Sequence, residues 1–255
     1  MLNIFAREVR SYFLSPVAYI VTAGFVVLAS ISFYFRASDF PRVLVAYRDS
    51  GLLEELKQNR INLLVLTPTL SDVGYILMFL IPVITMRLWA EEKRGHTDEL
   101  LLTSPVSVSS VVMGKYLAGL LFVLVLVGIT LVYTGFLFYY SAPDPGVTLS
   151  SYMALLLFVC SAVGIGLFTS TLTENQIVAS VSCLMIELVL ATMYGVGESV
   201  RSAKLGNIIT YISWRRHMTD MFDGVIRSDD LVFFATMIFF WIFLAHQSVE
   251  SSRWR

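Results

Sequence analysis

Trp89-Ala90-Glu91-Glu92-Lys93-Arg94-Gly95-His96-Thr97-Asp98-Glu99-Leu100-Leu101-Leu102-Thr103-Ser104-Pro105 is a dense polar island between two long apolar runs, and it decides how the rest of the chain reads. Apolar runs of that length cross a membrane, so the island lies outside it. Gly95 suits the end of one helix, Thr97 can cap another, and Asp98 and Glu99 suit the positive end of the second helix dipole. That second helix is short. Leu100 to Leu102 supply about one apolar turn, while Pro105 lacks an amide proton and drives Ser104 out of helical geometry. The spacing predicts a short helix held level at the membrane surface with a helix rising on each side, a geometry suited to a lever.

The composition supports the same reading. Of 255 residues, 56% are hydrophobic and 15% charged, with a mean hydropathy of +0.74, the profile of an integral membrane protein. A net charge of −1 gives no basic surface for nucleic acid. Cys160 and Cys183 fall inside apolar runs and read as small packing residues rather than a disulfide. The first apolar run begins at Val17 and lacks a small-residue cleavage site, so it reads as a retained membrane helix.

Residues 1–15 place Leu2, Phe5, Val9, Tyr12 and Phe13 on one helical face and Asn3, Arg7, Arg10 and Ser11 on the other. This is an amphipathic helix lying in the bilayer interface before Pro16. Six spans of roughly twenty residues or more follow, at 17–35, 73–90, 108–140, 152–171, 177–196 and 231–249. The predicted class is all-α. The third span is longer than a bilayer needs and should tilt or project. Residues 91–105 form the connection after span two. The stretch 36–72 contains a helical-looking segment from Leu52 to Leu66, stopped by Pro68. The loop 198–230 mixes charges with Ile208, Trp214, Met218 and Phe222, which suggests short helices at or dipping into the interface. Six spans place both termini on one side. With the termini inside, eight cations lie inside and ten outside, so charge count does not settle the side, although the island's cations cluster beside the spans.

Chemistry-bearing motifs are sparse. The chain has no GxxxxGK[ST] phosphate loop, HExxH or GxSxG, and His96, His217 and His246 are widely separated. The expectation is therefore no catalytic, metal or cofactor site and no ATP binding by this chain alone. His217 and Asp220 could share a helix face and bind a cation, or simply form a solvated surface. Arg87 and Glu91 are one turn apart and can pair, for at most about 1 kcal/mol. Lys115 can snorkel back to the inner surface. Glu187 is a carboxylate in mid-span, and Ser180, Cys183, Glu187, Ala191 and Tyr194 make a small, polar stripe. That stripe faces a partner subunit or a water-accessible substrate path, or Glu187 is neutralised inside the bundle without such a role.

The run Phe79-Leu80-Ile81-Pro82-Val83-Ile84-Thr85-Met86-Arg87-Leu88-Trp89-Ala90-Glu91-Glu92-Lys93-Arg94, continuing Thr97 to Ser107 and Gly114-Lys115-Tyr116-Leu117-Ala118, resembles the permease subunits of ABC transporters of the type-2 export class, particularly the gliding-motility-associated subgroup. Weaker likenesses lie at Tyr12 to Tyr19, Tyr211-Ile212-Ser213, Gly224-Val225-Ile226 and Asp229-Asp230-Leu231. His96 departs from the family's uninterrupted Gly-Thr, leaving open whether the island is one residue longer or differently aligned. The resemblance implies a multi-pass permease of the bacterial cytoplasmic membrane, with both termini cytoplasmic, whose 91–105 connection seats on a separate ABC ATPase that carries ATP and Mg. Asp98 to Thr103, with Leu100, Leu101 and Leu102, would be the docked coupling helix, and Glu91, Glu92 and Arg94 its rim. A second permease copy or sibling and a membrane-anchored extracytoplasmic subunit complete the implied partners, the latter touching 198–230. Export or extraction of a substrate is the leading reading. A mechanotransmitting subunit that drives an outer partner without moving a solute is the alternative, and an intramembrane enzyme lacks any catalytic grouping.

Overall fold

The computed structural model describes residues 1–49, 61–97 and 106–252, and the regular structure among them is entirely helical. In chain order come α1 (Leu2–Leu14), α2 (Pro16–Asp49), a π-turn (Asn62–Leu66) leading into α3 (Thr67–Thr85), α4 (Arg87–Arg94), α5 (Val108–Tyr140), α6 (Pro145–Leu172) and α7 (Gln176–Ser199). Two short helices follow, α8 (Ala203–Ile212) and α9 (Trp214–Phe222), and then α10 (Ser228–Ser252). Among the described residues six stretches are long and apolar enough to cross a membrane, α3 and α4 counting together with the π-turn.

The bundle is arranged around α6, whose most apolar window is 72% buried, against 17% for α7 and 22% for α2 and α10. Small residues permit this. Ser161, Ala162, Gly164 and Gly166 let neighbouring backbones approach, and a β-carbon at Gly166 would collide with Thr85 of α3. The apolar surfaces left on α2, α5, α7 and α10 are those a lipid tail would cover.

Several boundaries differ from the sequence reading for identifiable reasons. α2 continues past Phe35 to Asp49, because Arg36 meets Asp72 at 3.0 Å and Ser32 donates to the same carboxylate at 2.7 Å. The charge is thus answered beside the helix instead of ending it. Pro68 does not stop a helix either. It occupies the first turn of α3, where a missing N–H is harmless, and the wider π-turn precedes it. Residues 50–60, most of the expected Leu52 to Leu66 segment, lie outside the described part. The expected second span breaks at Met86, where α3 ends and α4 begins, with Met86 N still bonded to Pro82 O at 3.0 Å. α6 begins at Pro145, where Asp144 caps it through Gly146 N (2.7 Å).

The two ends of the bundle are separable. At one end Ile4 of α1 packs on Gly114 of α5, and Ser109 of α5 bonds His246 of α10 at 3.0 Å. α4 and the described part of the island, up to Thr97, lie at this same end, together with α1 and the last turns of α10. At the other end Asn62 exchanges hydrogen bonds with the Asp144 backbone (2.9 and 3.0 Å), and Thr67 donates to Phe222 O. There α9 buries Trp214, His217, Met218, Met221 and Phe222, so it is a packed element of the bundle rather than a surface helix.

Candidate functional site

At the island end, α4 is fixed on two sides. Its sequence alternates Leu88, Trp89 and Ala90, all buried, with exposed Glu91 and Arg94. The break at Met86 frees backbone groups that need partners. Ser170 of α6 supplies all three bonds: its hydroxyl oxygen accepts from Trp89 N (2.9 Å) and Ala90 N (3.0 Å) and donates to Met86 O (2.9 Å). One turn on, Lys93 Nζ donates to Thr171 O at 2.6 Å, satisfying a carbonyl at the end of α6.

On the other side stands a knot of four charges. Arg7 Nη2 lies 2.8 Å from both Glu8 Oε1 and Glu92 Oε1. Lys115 Nζ lies 3.1 Å from Glu8 Oε1 and 3.0 Å from Glu92 Oε2, the latter an ionic contact whose angle falls short of a hydrogen bond. The Lys115 ammonium also sits 5.6 Å from the Trp89 ring centroid. Burial works to raise the Glu8 carboxyl, but Lys115 and Arg7 outweigh it and hold the group below the usual carboxylate range. Beside the knot, Tyr12 donates to Ile84 O at 2.9 Å, and the Arg87 guanidinium lies 4.2 Å from the Tyr12 ring centroid. Burial pushes the Tyr12 phenol up, with Arg87 opposing.

These contacts correct four expectations. Lys115 does not snorkel to the surface; α1 covers it, leaving the side chain 1% exposed and its charge answered by Glu8 and Glu92. Glu92 turns into this knot instead of standing at a docking rim, while Glu91 and Arg94 face outward. Among the described residues Arg87 pairs with the Tyr12 ring rather than with Glu91. Gly95 remains near helical geometry (φ −85°), and His96 takes the left-handed position (φ 53°). Its N–H bonds Lys93 O (3.1 Å) and that of Thr97 bonds Glu92 O (3.0 Å), so α4 ends in a Schellman motif with His96 where glycine is usual. The Thr97 hydroxyl bonds back to Glu92 O. Asp98, Glu99, Leu100, Leu101 and Leu102 lie outside the described residues.

The polar stripe on α7 points into this chain's own bundle. Cys183 and Glu187 are buried, with Ser180, Ala191 and Tyr194 half-buried along the same face. Cys183 Sγ lies 3.7 Å from Glu187 Oε1, and Glu187 Oε2 has no hydrogen-bond partner. Tyr194 meets the Arg215 guanidinium 5.4 Å from its ring centroid.

His217 is neither a solvated residue nor a partner of Asp220. Its side chain is 1% exposed, with Nδ1 2.6 Å from Asp230 Oδ1, Nε2 2.9 Å from Tyr211 O, and the ring stacked on Phe233 at 3.9 Å between centroids. Since a carbonyl only accepts, Nε2 carries a proton, and a second proton is shared between Nδ1 and Asp230. The pair bolts α9 to the first turn of α10. No group of His, Cys, Asp and Glu able to hold a metal occurs among the described residues. Sequence reasoning missed Ser170, Asp230 and Glu8, of which only Glu8 carried a signal: an acid on the inward face of α1 between Phe5, Val9 and Tyr12.

A search of curated proteins finds no match for the chain. A family model described as ABC-2 family transporter protein matches residues 2–247. Because that match takes in α1, the helices long enough to cross a membrane and the clamped end at the island, the chain belongs to the ABC-2 transporter family and is a multi-pass membrane permease.

Proposed function

We propose that this permease takes its drive from a separate ABC ATPase through the island end. The observation that carries the reading is the clamping of α4. Ser170, Lys93 and the Arg7-Glu8-Glu92-Lys115 knot join it to α6, α5 and α1, so a displacement entering at residues 95–107 is delivered to the bundle as a unit. The chain carries no phosphate loop, so ATP and Mg belong to the partner. In this reading the island is cytoplasmic, both termini share that side of the bacterial inner membrane, and Asp98 to Thr103 form the docked coupling helix, with Glu91, Arg94, Thr97 and Arg87 around it. Nucleotide binding then shifts the permease only as far as the closed ATPase pair favours one arrangement over the other.

The leading activity is export or extraction of a substrate by two permease subunits, identical or sibling, with the Ser180-Cys183-Glu187-Ala191-Tyr194 face of α7 beside the path. A second reading, mechanical transmission to an extracytoplasmic subunit as in the gliding-motility-associated group, is favoured by the opposite end. There α7, α8 and α9 enclose an open polar cleft of about 530 Å³ lined by Glu198, Arg216, Asp220 and Arg227, large enough to seat a partner side chain or loop.

The test is Leu101→Asp, which is expected to lower recovery of the ATPase with the permease and to lower transport, with membrane insertion unchanged. Normal complex yield and transport would remove the docking assignment. Comparing vesicle transport with ATPase stimulation by an added outer subunit separates the two activities.

A further inference from the structure

We propose that Glu187, Trp214 and Ser161 form a buried site for one water molecule, with Glu187 held as a carboxylic acid. Glu187 sits midway along α7, 1% exposed, and no cationic side chain lines the space around it. Its Oε2 has no partner, and the indole Nε1 of Trp214, on α9, is likewise buried without one. Both residues line the same enclosed cavity of about 10 Å³, together with Ser161 of α6. The other walls, among them Phe158, Ile165, Leu190, Phe233 and Met237, offer no hydrogen bond.

Hydrogen-bond accounting selects the occupant. A carboxylate in mid-membrane needs a cation or several donors, and Glu187 has only the Cys183 thiol, 3.7 Å from Oε1. As an acid it uses Oε1 as the acceptor for that thiol and Oε2–H as a donor. Trp214 Nε1–H is a second donor, so the missing group must accept twice. Water does this with its two lone pairs and can donate back to Ser161 Oγ, making the about three bonds common for buried water. The cavity matches the roughly 10–15 Å³ that one water requires and is too small for an organic substrate. The site joins α6, α7 and α9 through a single removable molecule. It therefore assigns Glu187 a proton and a water inside the bundle.

Infrared difference spectra of the chain in bilayers, wild type against Glu187→Gln, test this in ordinary, heavy and oxygen-18 water. The expected wild-type signal is an acid carbonyl band that shifts in heavy water and is lost in E187Q, with an O–H band that shifts in oxygen-18 water. Trp214→Phe should keep the acid band, displace it, and lose the water band. Carboxylate bands at Glu187 in place of the acid band overturn the proposal, as does an acid band with no oxygen-18-sensitive companion. If E187Q does not assemble, W214F alone decides: an acid band at the wild-type position, with the water signal intact or absent from both proteins, overturns the site.

Discussion

His96 shows how a single residue closes the second membrane stretch. The left-handed conformation at φ 53° strains any side chain with a β-carbon, and glycine would adopt it freely. His96→Gly is therefore expected to stabilise the end of α4 by about 1 kcal/mol. His96→Val should destabilise it, both read as shifts in thermal unfolding; equal transitions for the two variants would show that the cap does not limit stability. Gly95 completes the helix and His96 turns out of it, so the bonds from His96 N and Thr97 N close on Lys93 O and Glu92 O.

At the scale of elements, the bend at Met86 depends on a side chain from another helix. Ser170 stabilises the break by bonding two amides and one carbonyl. Ser170→Ala would leave those buried groups unanswered, at an expected cost of about 1–3 kcal/mol for each group that water cannot reach. Hydrogen exchange at Trp89 and Ala90 should quicken first, and unchanged exchange there would count against the clip. α9 is secured in a related way at the other end. His217 bonds Asp230 on one side, Trp214 lines the Glu187 cavity on the other, and Phe233 touches both.

Across the whole molecule, α1 is held to the bundle chiefly by Tyr12, by Ile4 against Gly114 and by the charged knot. The knot has a definite pH signature. Glu8 is depressed in the folded protein from an ordinary value near 4.5, so its stabilising contribution is fully present above that value and is lost as pH falls through the lower folded value. Hydrogen-exchange protection of α1 should thus be level from neutral pH down to about 4.5 and decline below it, with Glu8→Gln flattening the decline. A loss of protection beginning at neutral pH in the wild type would point to another group. Because Lys115 is buried, Lys115→Met is expected to loosen α1 at neutral pH, by leaving Glu8 and Glu92 with Arg7 alone as a shared cation.

The amino-acid sequence by itself determined the class and the order of parts: long apolar runs must cross a membrane as helices, and a polar island between them must lie outside, because a bilayer core can satisfy neither charges nor open backbone. It also located the amphipathic α1 and singled out Glu187 as an acid among apolar neighbours. The partners of the polar groups were decided only by the tertiary structure. Lys115 meets Glu8 from 107 positions away, Ser170 reaches Trp89 from 81, and His217 turns from nearby Asp220 to Asp230. Helical periodicity tells which face a residue occupies but not which helix that face meets. In a low-dielectric interior the partner decides whether a charge is a docking rim, a clamp or a buried acid.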